Sequence, residues 1–262
     1  MNNLVLRNDT GAVARLTMNS PKNYNALSDA MIESLTSELR SIADDPKIRV
    51  VILAALGKAF CAGHDLKEMT AKRDAPDKGA TALKALFDNC SALMQLIPTL
   101  PQPVIAEVHG VAAAAGCQLV ASCDLAIASE NVTFGVNGVN IGLFCSTPMV
   151  ALSRNINRKA AFEMLTTGSF ISAQRAVELG LINQSTAPED LEAETLKMAQ
   201  VIASKLSAAV KVGKQAFYEQ LQMPLDQAYA YTSEVIVENM LFRDTEEGIK
   251  AFLEKRTPDW AD

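Results

Sequence analysis

Paired cysteines are missing from this sequence. Its five cysteines are an odd number, and no two of them have the Cys-x-x-Cys spacing that is typical of a zinc site or a redox disulfide. We therefore expect a protein of a reducing compartment, without a metal site. Four of the five cysteines lie among alanines and valines, where a free thiol usually packs as a small core residue.

Positive charge is also scarce. The chain has 24 Lys and Arg against 30 Asp and Glu, which gives a formal net charge of −6. A nucleic-acid-binding protein needs a concentrated basic surface, and no basic cluster appears in the sequence. This excludes nucleic acid as the expected partner, whereas a phosphorylated small molecule would need only a local basic patch.

Long apolar runs are absent as well. Asp124 interrupts the longest candidate, so no stretch reaches the roughly 18 residues that span a bilayer. The chain enters an alternating strand at residues 4–7 without the basic and apolar segments of a secretory signal. Residues 135–142 are rich in glycine but do not spell a dinucleotide-binding motif, and Gly57-Lys58 lacks the rest of a phosphate-binding loop. We expect a soluble, cytoplasmic protein with no membrane partner.

The chain does contain enough apolar residues, 49% of 262, for one large domain or a core with an appendage. Strands and helices alternate in the first part, which favours an α/β fold with helices covering a sheet, and helices dominate the end. We place a boundary near residue 195, which divides the chain into 1–195 and 196–262. The predicted strands cover 4–7, 13–18, 49–54, 104–108 and 124–128, and the main predicted helices cover 81–97, 173–179, 189–206, 208–221, 224–241 and 244–255.

Several local signals set the expected ends of these elements. Asn8-Asp9-Thr10-Gly11 predicts a hairpin turn. Ser28 and Ser172 are placed to cap helices, as is Thr147 before Pro148. The helix before Pro98 is expected to end there, and Asp244 with Glu247 predicts a capping box. The helix after Ser28 has one apolar face, formed by Met31, Ile32, Leu35, Leu39 and Ile42.

Two junctions between a strand and a turn stand out. One follows the strand 49–54 and contains Ala62-Gly63-His64-Asp65; the other follows the strand 104–108 and contains four alanines and Gly116. Such small residues let a backbone or a ligand approach closely. With residues 20–27 and 251–256, in this order, these segments resemble the crotonase, or enoyl-CoA hydratase/isomerase, family. Residues 112–123 and 140–148 resemble one branch of it in particular.

The resemblance covers essentially the whole chain and implies a fold, a ligand and an assembly. The fold would be a crotonase-like spiral of ββα units with a C-terminal helical trimerisation segment. The ligand would be an acyl-CoA or enoyl-CoA thioester, with no cofactor beyond its CoA moiety, and the assembly a homotrimer or hexamer. The backbone N–H groups of His64 and Ala115 would form an oxyanion hole for the thioester oxygen. Because a left-handed alanine costs about 1 kcal/mol or more, we expect the turn at Ala115 to be ordinary in φ or modestly strained.

Hydratases of this family use two glutamates, and both are replaced here. The corresponding positions are Gln118 and Gly138. An amide has no proton equilibrium near neutral pH and glycine has no side chain, while each such group contributes about 10²–10⁴ in rate. We therefore expect weak hydration, and expect that restoring both glutamates would raise it.

Other groups offer alternatives to the missing glutamates. Asn137, Asn140, Asp65, Glu68 and the pair Cys145-Ser146 are polar and close in sequence, although an Asn in such a loop more often satisfies its own turn and Asp65 more often caps the following segment. The Ala-Gly-His-Asp string is also similar to methylmalonyl-CoA decarboxylase, whose chemistry needs the oxyanion hole but no glutamate base. A catalytically weak acyl-CoA-binding protein is the third possibility.

The resemblance also implies a set of CoA-binding residues. A lysine attracts phosphate over a few ångströms, which suits a protein of net negative charge, although Lys255 alone would be interpreted as a solvated charge at a helix end. The implied residues are Lys22, Tyr24, Ala26, Ala62, Asp65, Leu66, Lys67, Phe252 and Lys255.

Overall fold

The computed structural model describes residues 3–260. Within that range it has nine strands and eleven α-helices. The strands are β1 Val5–Thr10, β2 Val13–Met18, β3 Val50–Ala55, β4 Val104–Val108, β5 Val111–Ala113, β6 Leu125–Ser129, β7 Thr133–Gly135, β8 Phe170–Ser172 and β9 Gln184–Thr186. The helices are α1 Asp29–Ala43, α2 Leu66–Lys72, α3 Ala80–Thr99, α4 Ala115–Ser122, α5 Pro148–Asn155, α6 Arg158–Thr167, α7 Ala173–Leu179, α8 Leu191–Ala203, α9 Ser207–Gln220, α10 Leu225–Met240 and α11 Arg243–Leu253.

The larger sheet has six strands in the order β1-β2-β3-β4-β6-β9. Only the β1–β2 hairpin is antiparallel, and the other neighbours run parallel. The residues of β3 and β4 are almost all apolar, since helices cover both faces of a parallel sheet. Val51 and Leu53 belong to the main core with α1, α3 and α4, while Val50 and Ile52 pack on the other face against α8. The α/β class follows from this layering.

A second, smaller sheet joins β5, β7 and β8. Its first strand is made from Val111 and two of the four alanines, which the sequence analysis assigned to a turn. Alanine has low strand propensity, so pairing rather than propensity determines the strand: Val111 aligns with Thr133 and Ala113 with Gly135. This sheet carries the second of the two strand-to-turn junctions.

Several predicted ends are confirmed. The side chain of Ser28 accepts a hydrogen bond from the Met31 N–H at 3.2 Å and caps α1, whose predicted apolar face is fully buried. Ser172 likewise caps α7. Gly180 ends that helix in a left-handed conformation, with φ +80, which glycine adopts without steric cost.

Other predicted ends are wrong. Pro98 lies inside α3, which continues through Thr99; near a helix end a proline removes only one backbone bond, and the Leu100 N–H still reaches the Leu96 oxygen at 3.0 Å. The side chain of Thr147 makes no capping bond. Asp244 lies within the first turn of α11, after the N-cap, so the predicted capping box does not form.

The first hairpin is also tighter than predicted. β1 continues through Thr10, which pairs with Val13, so the turn consists of Gly11 and Ala12 rather than residues 8–11. Gly11 has φ +60, the conformation that two-residue hairpin turns require.

All five cysteines are free and buried, whereas the sequence predicted burial for four of them. Among residues 3–260 no helix combines the length and mean hydropathy needed to cross a bilayer. The predicted division at residue 195 stays a prediction, and its outermost residues, 1–2 and 261–262, lie outside the described range.

Candidate active site

The two strand-to-turn junctions are joined through their backbones. The loop after β3 reaches β5, where the Cys61 N–H donates to the Val111 oxygen at 3.2 Å and the Ala113 N–H donates to the Cys61 oxygen at 2.9 Å. These bonds form a parallel bridge between Cys61 and Ala112. Residues 57–65 are therefore held against the start of α4.

Two glycines permit this close approach. A Cβ on Gly63, which has φ +96, would lie 3.0 Å from the Ala114 Cβ and 3.1 Å from the Ala113 oxygen. A Cβ on Gly116 would lie 2.2 Å from the Cys61 oxygen. Real Cβ atoms essentially never come as close to a backbone atom as at Gly116. At Gly63 the contacts are tight rather than forbidden, and the positive φ is what favours glycine there. The expectation that small residues allow close approach here is confirmed.

Both predicted oxyanion donors are available. Leu27 and His64 form a parallel bridge, in which the Leu27 N–H donates to the Gly63 oxygen at 2.8 Å. In a parallel pair only one of two bridged residues makes the bridging bonds; here it is Leu27, so the His64 N–H is left unused by the bridge. Ala115 is the first residue of α4, so its N–H has no partner within the helix. Neither N–H donates to any acceptor in the described part of the chain. An ideal Cβ on Gly63 would lie 3.4 Å from the Ala115 nitrogen, which places Ala115 beside the residue that precedes His64.

Backbone strain lies one residue before Ala115. Ala115 has no positive φ, as expected, but Ala114 has φ +48 and ψ −116, close to the first central position of a type II′ turn. Such a conformation costs a non-glycine residue about 1–3 kcal/mol. The Ala114 N–H donates to the Gly135 oxygen at 2.8 Å, which holds the turn. The strained residue thus sets the direction of the Ala115 N–H.

The ring of His64 contacts two neighbouring segments of the chain. Its Nδ1 donates to the Leu27 oxygen at 3.1 Å, and the ring meets Phe87 of α3 edge-on, with centroids 5.2 Å apart. The ring is therefore not a solvated surface group. Burial lowers the pKa of His64 below its usual value of 6.5, so the imidazole is neutral at neutral pH.

This lowered pKa predicts a pH-dependent stability. Unfolding returns His64 to its ordinary pKa, so the unfolded chain binds more protons and stability falls as the pH drops below about 6.5, through the lowered pKa of the folded state. A His64→Asn variant keeps an N–H donor near the Leu27 oxygen without titrating. Urea denaturation between pH 7 and pH 5 should show a steeper loss for the unmodified protein than for this variant. Equal slopes would contradict the assignment.

The first missing glutamate position, Gln118, is buried. Its side chain lies on α4, only 4% exposed, and its Oε1 has no hydrogen-bond partner among the described residues. The second position is filled by the chain itself: a Cβ on Gly138 would lie 2.5 Å from the Leu143 oxygen and 2.9 Å from the Cys145 Sγ. The Gly138 N–H donates to that thiol at 3.4 Å. A longer side chain at 138 does not fit this arrangement.

Most candidate substitutes for the glutamates have local structural partners. Asp65 caps α2, accepting from the N–H groups of Lys67 at 2.9 Å and Glu68 at 3.2 Å. Glu68 pairs with Lys72 at 2.9 Å. The Asn140 side chain donates to a carbonyl at the end of α6 at 3.4 Å. These groups stabilise turns and helix ends.

Asn25, in the segment before α1, holds that segment against the loop after β3, although the sequence did not single it out. Asn25 is fully buried, and its Nδ2 donates to the oxygens of Leu56 at 2.8 Å and Ala59 at 2.9 Å. Tyr24 and Asn25 both have positive φ, which asparagine tolerates better than most residues. The Ala62 N–H donates to the Tyr24 oxygen at 3.0 Å. The only sequence feature that points to Asn25 is its place in a short polar segment. That segment does not reveal that the side chain is buried.

The implied CoA-binding residues fall into two groups. Tyr24, Ala26, Ala62, Asp65 and Leu66 come together where the first segment meets the loop. The exposed Lys22 and Lys67, and also Lys58, which the sequence analysis did not name, have no ion-pair partner within residues 3–260.

Phe252 and Lys255 lie elsewhere. Phe252 is 82% exposed and lines a groove with Leu206 and Trp260, and Lys255 follows α11 with φ +56. None of the loop residues lines that groove. The structure therefore brings together one part of the predicted set and not the other.

Comparison with known proteins identifies the family. The Enoyl-CoA hydratase/isomerase family model matches residues 8–262. A curated relative from Danio rerio, named "Enoyl-CoA hydratase domain-containing protein 3, mitochondrial", is 46% identical over 98% of this chain and 88% of its own. A solved enoyl-CoA hydratase from Mycobacterium smegmatis is 50% identical with a TM-score of 0.95, covering 100% of both chains. The human enoyl-CoA hydratase domain-containing protein 3 structure is 44% identical with a TM-score of 0.93, covering 98% of this chain and 100% of its own.

These similarities decide three predictions. The crotonase-like fold is confirmed, and so is the resemblance of residues 112–123 and 140–148 to one branch, which is the domain-containing protein 3 branch. The prediction of a cytoplasmic protein is wrong, because curated relatives at 46–48% identity are named mitochondrial proteins.

Proposed function

The chain belongs to the enoyl-CoA hydratase/isomerase family, and from this premise we propose that it binds an acyl-CoA or enoyl-CoA thioester and stabilises the enolate of that thioester. The observation that carries the proposal is the pair of unpartnered N–H groups of His64 and Ala115. Two such donors stabilise charge on the thioester oxygen, and losing one typically costs about 10²–10³ in rate. No cofactor is needed beyond the CoA moiety of the substrate.

The CoA moiety would bind along the segment before α1 and the loop after β3. Tyr24, Ala26, Ala62, Asp65 and Leu66 supply adjacent backbone and side-chain surface there. The unpaired ammonium groups of Lys22 and Lys67 would attract the phosphates, as would Lys58. Phe252 and Lys255 project from the C-terminal helices, so in this proposal they contact the CoA bound to a neighbouring copy of the chain.

Calorimetry tests this function directly. Butyryl-CoA should bind more tightly than free CoA, because only the thioester places an oxygen between the two N–H groups. Free CoA is the matched control, since it presents the same phosphates and adenine. No heat of binding with any acyl-CoA up to millimolar concentration would overturn the proposal.

The reaction is expected to differ from efficient hydration. With an amide at 118 and no space for a side chain at 138, no carboxylate pair can activate water. Decarboxylation is the second candidate, favoured by the same observation, because loss of CO2 from a malonyl thioester produces an enolate directly and needs no base. Release of CO2 from malonyl-CoA or methylmalonyl-CoA would support it. A protein that binds these thioesters without turnover would instead be a weak or non-catalytic acyl-CoA binder.

Assembly into a homotrimer or hexamer is the expected quaternary state. Of the 16 residues of α10, only Ala228 is buried, while Leu225, Tyr229 and Leu241 at its end are 75%, 69% and 82% exposed. A single copy leaves this apolar surface in water, which is unusual for a monomer. We propose that residues 196–262 form the oligomerisation segment. Light scattering at micromolar concentration should give three or six times the mass of the chain, and a sharp monomer would contradict the proposal.

A further inference from the structure

The side chain of His64 binds the residue that determines the direction of the His64 N–H. In the planar trans peptide that joins Gly63 to His64, the C=O and the N–H point in opposite directions. The Leu27 N–H donates to this carbonyl at 2.8 Å, so the His64 N–H points away from Leu27. The carbonyl oxygen of Leu27 in turn accepts from the Nδ1 of His64 at 3.1 Å. Both backbone groups of Leu27 are therefore bound to the residues that form the predicted donor.

The neutral form of the imidazole fits this arrangement, and the protonated form does not. Since Nδ1 carries the proton that is donated to Leu27, the Nε2 of the neutral ring is an acceptor. That nitrogen is buried and has no hydrogen-bond partner among the described residues, and the ring of Phe87 lies edge-on against the imidazole. Protonation would add an N–H and a positive charge where no acceptor is in place, which is costly in apolar surroundings.

The charged groups around the ring do not offset this cost. Asp29, at the start of α1, favours the protonated ring, but burial has the larger effect on the pKa of His64 and lowers it. The Asp29 carboxylate is also paired with Lys72 of α2, which pairs with Glu68 of the same helix at 2.9 Å. The side chain that α3 places against the ring is the uncharged Phe87. A proton on the ring would therefore weaken its contacts.

We propose that His64 is a positioning residue for the oxyanion hole: its neutral imidazole keeps the His64 N–H directed at the thioester oxygen, and protonation of the ring releases that N–H, so that the preference for a thioester over free CoA is lost in acid. This inference rests on the proposed function and deepens it. Neither nitrogen of the ring needs to touch the ligand, because the side chain acts through Leu27.

The test measures the ratio of the butyryl-CoA affinity to the free CoA affinity by calorimetry on the full-length protein. The two ligands share the phosphates and the adenine, so the titration of phosphate groups, whose second pKa is about 6, cancels in the ratio. Between pH 8 and pH 5 the ratio for the unmodified protein should fall about fivefold, which corresponds to the loss of one hydrogen bond.

Two variants separate the hydrogen bond from the charge. His64→Asn keeps a donor near the Leu27 oxygen but does not titrate, so its ratio should stay high at both pH values. His64→Leu keeps apolar bulk beside Phe87 but removes the donor, and its ratio should already be about fivefold lower at pH 8, with free CoA bound as by the unmodified protein. The matched control is His109→Gln: the Nε2 of this second histidine donates to the Gly57 oxygen at 2.9 Å, and the variant should keep the full pH dependence.

The outcomes distinguish this inference from the proposed function. Failure of every thioester to bind at pH 8 would overturn the proposed function and the role of His64 with it. A ratio that is equal at pH 8 and pH 5, a ratio that falls equally in His64→Asn, or an unchanged ratio in His64→Leu would overturn the role of His64 alone. The first of these measurements needs no substitution at His64, so it decides the matter even if neither variant folds.

Discussion

Replacing Gly138 with glutamate is expected to leave crotonyl-CoA hydration as slow as in the unmodified protein. Each general acid or base group contributes a factor of about 10²–10⁴ to the rate. The unmodified chain should therefore hydrate crotonyl-CoA at least about a thousandfold more slowly than a relative with both glutamates. The sequence suggested that Gln118→Glu with Gly138→Glu would raise the rate, provided that the turn at 138 tolerates a side chain. The structure removes that expectation, because even a Cβ at 138 would lie 2.5 Å from the Leu143 oxygen.

A pair of alanine variants separates the steric cause from the chemical one. Gly138→Ala should destabilise the fold by about 1–3 kcal/mol, as overpacking does. Gly213→Ala is the matched control: a Cβ there meets no atom within 4 Å, and within α9 alanine should stabilise by up to about 1 kcal/mol. Denaturation measures the stability of both alanine variants, and coupled assays measure the rate of crotonyl-CoA hydration. A folded Gly138→Glu, Gln118→Glu protein with brisk hydration would refute the steric argument.

Removing the ammonium group of Lys214 is expected to cause the largest loss of stability. Its Nζ donates to the oxygens of Ile97 at 2.8 Å and Gln102 at 2.9 Å and to Asp124 at 2.7 Å. Burial lowers the pKa of Lys214, but the adjacent carboxylate favours the charged form. Lys214→Met leaves Asp124, whose side chain is only 11% exposed, without its cation, and breaking a buried pair in this way typically costs about 3–5 kcal/mol. Urea denaturation measures the loss.

Two further variants control this experiment. Lys211 lies on the same helix at a half-buried position. Lys211→Met should therefore change the free energy of unfolding by no more than about 0.5 kcal/mol. Adding Asp124→Asn to Lys214→Met removes the unpaired charge and should recover part of the loss, since neighbouring residues are energetically coupled. A loss below about 1 kcal/mol for Lys214→Met would show that the pair does not anchor α9 to the core.

What could be predicted from the sequence was local. The apolar face of α1, the caps at Ser28 and Ser172 and the two small-residue junctions depend on spacing within one turn or strand. The family resemblance then placed both N–H donors, and the loop geometry is consistent with that placement.

What could not be predicted depends on contacts between distant or folded-back segments. Nothing in the sequence shows that Leu143 and Cys145 return to occupy the space beside Gly138. Lys214 looks like a solvated helix charge until α9 is packed against α3 and Asp124. Asn25 looks like an ordinary turn residue, yet it bonds to carbonyls more than 30 residues away. Such pairings are tertiary, and local propensity carries no information about them.

In the proposed site both donors are main-chain groups, so mutational scanning would misjudge where such an active centre lies. Truncating His64 to alanine removes an imidazole but keeps its N–H, and Ala115 is already alanine, so an alanine scan passes over both donors. The sensitive positions are instead Gly63 and Gly116, where one added methyl group meets backbone atoms at 3.1 Å and 2.2 Å. Mutational intolerance in this protein should therefore concentrate at residues that have no functional group at all.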